Sequence, residues 1–299
     1  MKYIFVLNGR ADKQPLYEGL RQQLDSFEEP FEVYNTIGVG DGTRFTRIYC
    51  DLHPSEEVCF VACGGDGIVN EVASGMVGFE SKQLAIMKYG GSTTDFLECY
   101  PDRDFGSLKA MLQGEIRQVD IIRVNDSYAI NVCNFGFDSF VAARANELTA
   151  EGMDPHKAYM RSIVRAILMG RFNRIRVVAD GKRIGRRFLL LGTLANGVQL
   201  GGEFRCAPYA LNDDGLIELC VIKPMSLLRF MLIMPIYRRG DHLTKPFARH
   251  KMHYRQVRHV EIDSKDLIEL CLDGEMLPGA HFVVDIMPKA VALRLPRQS

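Results

Sequence analysis

A glycine-rich turn that contains one carboxylate follows an apolar run in the first half of the sequence. Residues 58–76 have the sequence VCFVACGGDGIVNEVASGM, in which Gly64, Gly65, Asp66 and Gly67 separate the apolar run from a helical pattern. Glycines let main-chain N–H groups approach a phosphate closely, and the start of the following helix adds partial positive charge. Asp66 would contact a bare phosphate poorly, but a carboxylate here suits Mg²⁺ or a phosphoryl acceptor. The pattern predicts a phosphate site, and the alternative is a plain turn in which Asp66 caps the helix.

Length and charge divide the sequence into two parts. The chain has 299 residues, which suits two domains. Its formal net charge is zero, but residues 1–120 contain 11 Lys and Arg against 19 Asp and Glu, and the remainder contains 26 against 18. The two parts therefore carry net charges of −8 and +8. An anionic partner is expected to bind the C-terminal part.

The order of the predicted elements also differs between the two parts. Up to residue 120, apolar strands alternate with amphipathic helices, which is typical of a parallel sheet with helices on both faces. After residue 120, turns separate short strands, which predicts antiparallel β-structure with helices at about 156–169 and 225–237. These strands are predicted at 121–124, 128–133, 174–179, 188–194, 216–222, 258–262, 267–272 and 282–287. We predict an α/β nucleotide-binding domain over 1–120 and a β-rich domain over 121–288, with residues 289–299 packing back onto the first.

Several other classes of protein lack support in the sequence. Eight cysteines are scattered singly without a CxxC pair, which favours buried thiols in a cytosolic protein over a disulfide or zinc framework. The apolar run at the N-terminus is too short for a signal peptide, and no stretch is long enough to span a bilayer. The chain has no GxxxxGK[ST] sequence, no HExxH sequence and no pairing of HRD with DFG. We expect a cytoplasmic protein that is neither a P-loop ATPase nor a protein kinase.

The segment GGDGIVNEV resembles the phosphate-binding motif of the diacylglycerol kinase catalytic family. That family includes bacterial lipid kinases and sphingosine kinases, and NAD kinases are more distant relatives. The resemblance covers nearly the whole chain, and the order and spacing of the matches make it specific. The matching segments are Asn8, Thr36, GSTTDF at 91–96, VDI at 119–121, NVCNFGFD at 131–138, the glycine-containing stretch 196–208, LNDDGL at 211–216 and LDGE at 272–275.

The resemblance implies a two-domain lipid kinase with an NAD-kinase-like architecture, in which the second domain is an antiparallel, β-sandwich-like domain. It also implies that ATP binds in the cleft between the domains, on the α/β side. The residues that would bind the nucleotide are Asn8, Thr36, Gly64, Gly65, Asp66, Gly67, Asn70, Glu71, Gly91, Ser92, Thr93 and Asp95.

By the same resemblance, the catalytic carboxylates are Asp273 and Glu275, together with Asp66 in the glycine-rich turn. One member of the pair at 273 and 275 would take the proton from the acceptor hydroxyl, which suits a carboxylate that tolerates nearby Mg²⁺. The sequence does not decide which of the two is the base. The alternative is a hairpin with a type I′ Asp-Gly turn and no catalytic role.

The resemblance further implies a second, structural Mg²⁺ in the LNDDGL segment. Asp214 would bind it, helped by the main-chain carbonyl groups of Leu211 and Leu216, since hard oxygen ligands suit Mg²⁺. The alternative is a solvated turn before the next strand.

Some positions depart from the family pattern. Thr94 stands where the family has Asn, Tyr89 and Gly9 stand where it has Pro, and Ala11-Asp12 stands where it has Ser-Gly. Thr offers one hydroxyl where Asn offers an amide, and Asp12 would place a carboxylate near the expected phosphates. Weak use of ATP, another phosphoryl donor or a catalytically inactive relative stays open.

A basic segment at residues 237–259 has the sequence YRRGDHLTKPFARHKMHYRQVRH and follows the apolar residues 227–234. Basic and apolar surface together favour peripheral contact with an anionic membrane. A solvated surface is the second interpretation, and nucleic acid, for which the sequence has no binding motif, is the third.

The sequence thus predicts an ATP- and Mg²⁺-dependent lipid kinase with a diacylglycerol-like membrane lipid as acceptor. A sphingoid base, another glycerolipid or a dinucleotide is the alternative acceptor, and a nucleotide-binding regulator without turnover is the alternative class. The oligomeric state stays open, with a homodimer as one option.

Overall fold

The computed structural model describes most of the chain outside residues 137–173. The described residues are 1–11, 13–89, 94–136, 141, 144, 145, 147–149, 151–154, 157, 158, 161, 162, 164, 165, 174–184 and 188–298. Most of the predicted helix at 156–169 lies outside them.

The first part of the chain forms a parallel sheet in the order β4–β3–β1–β2. Its strands are β1 (Lys2–Asn8), β2 (Phe31–Thr36), β3 (Val58–Cys63) and β4 (Lys82–Met87). Its helices are α1 (Glu18–Leu24), α2 (Asp41–Leu52), α3 (Asp66–Met76) and α4 (Leu108–Leu112), with 3₁₀ turns at Gln14–Tyr17 and Asp95–Cys99.

Strand β1 shows why helices cover both faces of this sheet. Tyr3, Phe5 and Leu7 pack into the core that contains α1 and α4, whereas Ile4 and Val6 pack into the core that contains α3. Successive side chains of a strand point to opposite faces, so a strand that is apolar at every position needs a layer on each side. The parallel α/β fold predicted from the sequence is confirmed.

The second part of the chain is built from antiparallel strands. They are β5 (Glu115–Val124), β6 (Ser127–Ala129), β7 (Val132–Gly136), β8 (Ile175–Ala179), β9 (Lys182–Ile184), β10 (Leu191–Ala195), β11 (Ile217–Ile222), β12 (Met252–Val257), β13 (His259–Leu272) and β14 (Glu275–Leu295). Two helices, α5 (Leu227–Arg238) and α6 (Pro246–Arg249), lie between β11 and β12. Among the described strands, β12, β11, β10, β7, β13 and β14 follow one another across this part of the sheet.

Several predicted strand boundaries are wrong. The strands predicted at 258–262 and 267–272 are one strand, β13, whose pairing with β14 shifts register between Asp263 and Ile268. A bulge bends a strand without ending it, and the polar residues around it resemble a turn in the sequence. The strand predicted at 128–133 is divided between β6 and β7, and β12 was not predicted because its residues are mostly polar.

Strand β14 connects the two parts of the fold. It pairs with β5 on one side, and its last residues Leu293 and Arg294 pair in parallel with Leu84 and Ala85 of β4. The predicted domain boundary at residue 120 falls within β5. No helix among the described residues is both long enough and apolar enough to cross a bilayer.

Candidate active site

The carboxyl ends of β1 and β3 are held together by one buried tyrosine. The Tyr17 hydroxyl accepts a hydrogen bond from the Asn8 N–H at 3.1 Å and donates one to the Cys63 carbonyl oxygen at 3.1 Å. Burial raises the pKa of Tyr17, so the hydroxyl stays protonated and can donate. Sequence reasoning missed this residue, because its apolar neighbours made it resemble an ordinary core residue.

Two residues predicted to bind nucleotide lie side by side at this edge. Asn8 and Thr36 are paired where β1 and β2 end. The Asn8 side chain accepts a hydrogen bond from the Arg10 N–H at 3.1 Å, and the Thr36 hydroxyl accepts one from the Gly9 N–H at 3.4 Å. Ligands of parallel sheets bind outside this carboxyl edge.

The N-terminus of α3 also opens at this edge. Its N-cap residue is Gly65, which has an extended backbone with φ −88° and ψ −172° and no side chain to cap the helix. A Cβ atom added at Gly67 would have no heavy atom within 4 Å. The loop predicted over 64–67 is thus shorter, because the helix starts at Asp66. A helix start without a side-chain cap suits an anionic group such as a phosphate.

Asp66 binds the neighbouring loop. Its carboxylate accepts hydrogen bonds from the N–H groups of Asp95 at 3.0 Å and Phe96 at 3.3 Å. Burial, followed by the charge of Asp95, raises the pKa of Asp66 to about 6, while the amide hydrogen bonds act in the opposite direction. The Thr94 hydroxyl donates to the Gly64 carbonyl oxygen at 3.0 Å. The two loops predicted to hold the phosphates are therefore bonded to each other.

Asn70 and Glu71 make main-chain contacts inside the protein. Asn70 donates to the Tyr128 carbonyl oxygen at 3.1 Å and accepts from the Ile130 N–H at 3.2 Å, which ties α3 to the second part of the chain. Glu71 accepts from the N–H groups of Gly40 at 2.8 Å and Gly42 at 2.7 Å, which holds the start of α2. Both side chains thus position α3, and their predicted contact with nucleotide stays a prediction.

Asp95 forms a second link between the two parts of the chain. Both of its carboxylate oxygens lie 3.0 Å from the Gly202 N–H, and one of them accepts from the Gln199 side chain at 3.3 Å. Asp95 is buried. Sequence reasoning found Asp95 through the resemblance but missed Gln199, because nothing in the sequence relates residues that lie 104 positions apart.

Asp273 lies in the tight turn between β13 and β14. Asp273 and Gly274 have φ values of 48° and 101°, and Leu272 pairs with Glu275, so the turn has two residues with positive φ. The Asp273 carboxylate accepts from the N–H groups of Ile130 at 2.7 Å, Asn131 at 3.1 Å and Val132 at 2.7 Å. These bonds fix the turn against β7.

The environment of Asp273 also changes its protonation. The residue is 9% exposed. Burial raises its pKa to about 7, the charge of Asp66 adds to the increase, and the three amides oppose it. Because the charge of Asp66 acts on Asp273, the turn lies near the start of α3.

Glu275 differs from Asp273 in having a free carboxylate. It is partly buried, and no described residue forms a hydrogen bond or an ion pair with its side chain. Its charge adds to the effect of burial in raising the pKa of Glu71 on α3. Glu275 therefore lies near enough to α3 for its charge to act on Glu71, and its carboxylate has no hydrogen bond to a described residue.

The predicted metal loop has its own internal bonds. The Asp214 carboxylate accepts from the Leu216 N–H at 2.9 Å, and Leu211 is 60% exposed. Buried Asp120 accepts from the N–H groups of Gly215 and Lys289 at 2.7 and 2.8 Å. Within the described part of the chain, no group of three or more His, Cys, Asp and Glu side chains could hold a metal ion. A cation here would depend on Asp214 and main-chain carbonyl groups.

Three predicted nucleotide-binding residues, Gly91, Ser92 and Thr93, lie outside the described residues, as does Asp12.

Two family models match this architecture. The diacylglycerol kinase catalytic domain matches residues 2–124, and the YegS C-terminal NAD kinase beta sandwich-like domain matches residues 131–295. The chain belongs to the family that joins these two domains, and the YegS C-terminal domain spans more than half of it. This lipid kinase family member is accordingly a phosphotransferase with an alcohol group as acceptor.

Curated relatives of this lipid kinase match over nearly their full length. A Chromohalobacter salexigens protein named "Probable lipid kinase YegS-like" is 29% identical, and the match covers 98% of this chain and 93% of that protein. The diacylglycerol kinase of Bacillus subtilis is 28% identical, with 97% of each chain covered.

Solved structures share the fold of this lipid kinase. One from Bacillus anthracis has a TM-score of 0.74 at 19% identity and covers 98% of this chain and 95% of that one. A diacylglycerol kinase structure from the same organism has a TM-score of 0.66 at 17% identity, with 98% and 96% covered. An NAD kinase from Archaeoglobus fulgidus, in complex with ATP, has a TM-score of 0.50 at 11% identity, with 98% and 93% covered.

Proposed function

We propose that the protein transfers the γ-phosphate of ATP to the hydroxyl of a diacylglycerol-like lipid, with Glu275 as the base. The observation that carries this proposal is the contrast between Asp273, whose carboxylate binds three main-chain amides, and Glu275, whose carboxylate is free. A base must reach the proton that it abstracts, and a free carboxylate can do so without breaking internal bonds. Asp273 is then the residue that positions the turn.

The transfer requires positioned reactants, stabilisation of the charge on the transferred group and one proton acceptor. The acceptor oxygen forms a bond to the γ-phosphorus, the bond from that phosphorus to the β–γ bridging oxygen breaks, and ADP leaves. The proton of the lipid hydroxyl passes to the Glu275 carboxylate. The partly buried location of Glu275 supports this role, because a proton acceptor is more effective where water is largely excluded.

ATP fits the carboxyl edge of the first domain. The uncapped start of α3 at Gly65 and the open space beside Gly67 suit the phosphates. Asn8 and Thr36 lie at the same edge and would contact the nucleotide. Mg²⁺ bound with ATP would neutralise the charge that develops on the transferred group. Asp66 at the start of α3 would hold it, because its carboxylate accepts two amide hydrogen bonds and keeps further lone pairs for a metal.

We propose the second, structural Mg²⁺ as a separate site in the LNDDGL segment. Asp214 would supply the side-chain ligand, with the carbonyl oxygens of Leu211 and Leu216. The charges of Asp120 and Asp213 add to burial in raising the pKa of Asp214, so a cation there would relieve repulsion among three carboxylates. Loss of calcium- or magnesium-dependent thermal stabilisation in an Asp214→Asn variant would support this site.

The choice of diacylglycerol rests on the relatives. The matching catalytic family and the Bacillus subtilis relative carry that name. The test is incubation of the protein with γ-labelled ATP, Mg²⁺ and vesicles that each contain one lipid: diacylglycerol, monoacylglycerol, ceramide or sphingosine. Label in phosphatidic acid supports the proposal. Label in another lipid product, or on NAD that is added in solution, would show that the acceptor is that molecule and not diacylglycerol. Binding of ATP without any labelled product would identify a nucleotide-binding regulator.

The role of Glu275 is tested by Glu275→Gln, with Glu269→Gln on the exposed face of β13 as the matched control. Removal of a general base usually slows turnover about 10²–10⁴-fold. We expect this loss in the first variant, with ATP affinity unchanged, and normal turnover in the control. Near-normal turnover in Glu275→Gln would refute the assignment.

A further inference from the structure

Helix α5 has apolar side chains on its outer face as well as on its inner face. Leu228, Met231 and Leu232 recur at the spacing of one helical face and are 74%, 45% and 55% exposed. On the opposite side, Ile233 and Tyr237 are buried in the core of the second domain. A helix that is apolar on all sides normally has no side in water. The outer face of α5 is therefore expected to contact a partner.

Helix α6 extends this apolar surface. Phe247 on α6 is 48% exposed, and the Arg229 guanidinium of α5 lies 5.7 Å from the centre of its ring. We call Leu228, Met231, Leu232 and Phe247 the apolar ridge. Its members project from two adjoining helices, so together they form one surface that is larger than an isolated exposed side chain.

A cationic cavity lies next to the same two helices. Its volume is about 810 Å³, and its lining includes Arg183, Lys223, His250, Lys251, His253 and Phe188. The described residues that line it include no carboxylate. Its lining residues Lys223 and Pro224 come just before α5, and His250 and Lys251 come just after α6, so the cavity adjoins the ends of the two helices that carry the apolar ridge.

Within the described part of the chain, no ion pair neutralises Arg183, Lys223 or Lys251 in the cavity. The Lys223 ammonium donates to the His250 carbonyl oxygen at 3.2 Å, which fixes its position without neutralising it. Burial, and then the charge of Lys223, lowers the pKa of His253, so this imidazole is neutral at pH 7. A cavity of this size with several cations and a neutral imidazole suits a phosphate diester and its attached headgroup.

We propose that the apolar ridge and the cationic cavity together bind an anionic phospholipid in a membrane. The ridge enters the acyl-chain boundary, and the cavity takes the phosphate of one headgroup. Neither the ridge nor the cavity alone would select an anionic membrane. A soluble anion could bind the cavity without the ridge, and a neutral lipid surface could bind the ridge without the cavity. A second copy of the chain fits poorly, because a twofold contact through this face would bring two cationic cavities together.

This membrane contact does not depend on the acceptor in the proposed function. Binding is measured without ATP, and turnover is measured separately on a short-chain, water-dispersed diacylglycerol. A protein that fails to bind vesicles but turns over this substrate normally would refute only the docking surface. A protein that binds vesicles but does not turn over this substrate would refute only the proposed reaction.

The test compares sedimentation of the full chain with phosphatidylcholine vesicles and with vesicles that also contain phosphatidylserine. The ridge variant is Leu228→Gln/Leu232→Gln, and its control is Leu52→Gln/Leu267→Gln, which changes two leucines that are 72% and 80% exposed elsewhere. The cavity variant is Arg183→Gln/Lys251→Gln, and its control, Lys109→Gln/Lys265→Gln, removes the same net charge from exposed positions.

The wild-type chain is expected to bind the anionic vesicles at least about tenfold more tightly than the neutral ones. Each of the two test variants should weaken binding to anionic vesicles about tenfold or more, while both controls stay within about twofold of wild type. Losses in the controls that equal those in the test variants would overturn the assignment of this surface.

Two further results would also overturn it. Equal binding of glycerophosphoserine to wild type and the ridge variant, with no binding to vesicles by either, would identify a soluble anion site. A ridge variant that changes from dimer to monomer in sedimentation equilibrium, while it binds vesicles normally, would identify the ridge as a contact between copies.

Discussion

Truncation of Asp273 to Ala is expected to lower the free energy of unfolding by about 4 kcal/mol. The carboxylate accepts hydrogen bonds from three main-chain N–H groups, those of Ile130, Asn131 and Val132. Each buried N–H group that loses its acceptor costs about 1–3 kcal/mol, and we take about 1 kcal/mol because water can enter the space that the carboxylate leaves. Ala at φ 48° adds roughly 1 kcal/mol, since only Gly, Asn and Asp adopt this region easily.

The matched variant is Glu275→Ala, two residues along the same hairpin. Its side chain is partly buried but has no hydrogen bond to a described residue, so we expect a change within about 0.5 kcal/mol. Asp273→Asn should fall between the two, because Asn keeps one acceptor oxygen and tolerates the positive φ.

Urea denaturation followed by far-ultraviolet circular dichroism measures all three variants. With a slope of about 1–3 kcal/mol per molar urea, the midpoint of Asp273→Ala should fall by roughly 1–4 M. A loss below about 1 kcal/mol would show that the amides find other acceptors. Equal losses at 273 and 275 would show that hairpin packing, and not the carboxylate of Asp273, holds the turn.

Three further predictions concern the phosphate loops. Gly65→Val should fold, because φ −88° and ψ −172° suit any residue. The added side chain should crowd the start of α3 and weaken ATP binding more than about tenfold, as measured by calorimetry. Unchanged ATP affinity would exclude this site. Burial raises the pKa of Asp66 from 3.8 to about 6, so the folded state binds this proton more tightly than the unfolded state, and stability that is present below about pH 4 is lost as pH rises towards 6. From pH 4 to pH 7, the free energy of unfolding of wild type should therefore fall by about 2 kcal/mol relative to that of Asp66→Asn, as measured by urea titrations. If the free energies of unfolding of the two proteins change in parallel with pH, the raised pKa is contradicted. Thr94→Val should lower the free energy of unfolding by about 1 kcal/mol, because it loses the hydrogen bond to the Gly64 carbonyl oxygen. Thr94→Asn should keep both stability and turnover. Thermal unfolding that shows Thr94→Asn to be less stable than Thr94→Val would contradict this.

The fold was predictable because its signals are local. The apolar run at 58–63 and the glycines after it fix a strand, a turn and a helix within one short segment, and the structure differs only in starting α3 at Asp66. Strand β14 was harder, since its 21 residues include Pro278, Gly279 and Pro288, which are typical turn residues. Pairing with β13 and β5 keeps it extended, and that pairing is not visible in the sequence of β14 itself.

The polar contacts of the candidate site were not predictable from one sequence. Asn70 and Glu71 stand beside a phosphate loop, where an amide and a carboxylate would also suit nucleotide and metal. Their partners are main-chain groups of residues 128–130 and 40–42, which fold next to α3 from distant parts of the chain. Residue type near a motif indicates possible chemistry, but only the structure shows whether the side chain is already occupied.

Two of the departures from the family pattern, Gly9 and Thr94, have structural explanations. Gly9 replaces a proline, and a Cβ atom at this position would lie 2.0 Å from the Thr36 carbonyl oxygen, so β1 and β2 approach too closely for any larger residue. Thr94 replaces an asparagine and still provides a donor for the Gly64 carbonyl oxygen. Both substitutions therefore keep the end of β1 and the two phosphate loops joined to their neighbours. Since the free Glu275 and the uncapped start of α3 are also present, these two departures give no reason to expect an inactive relative.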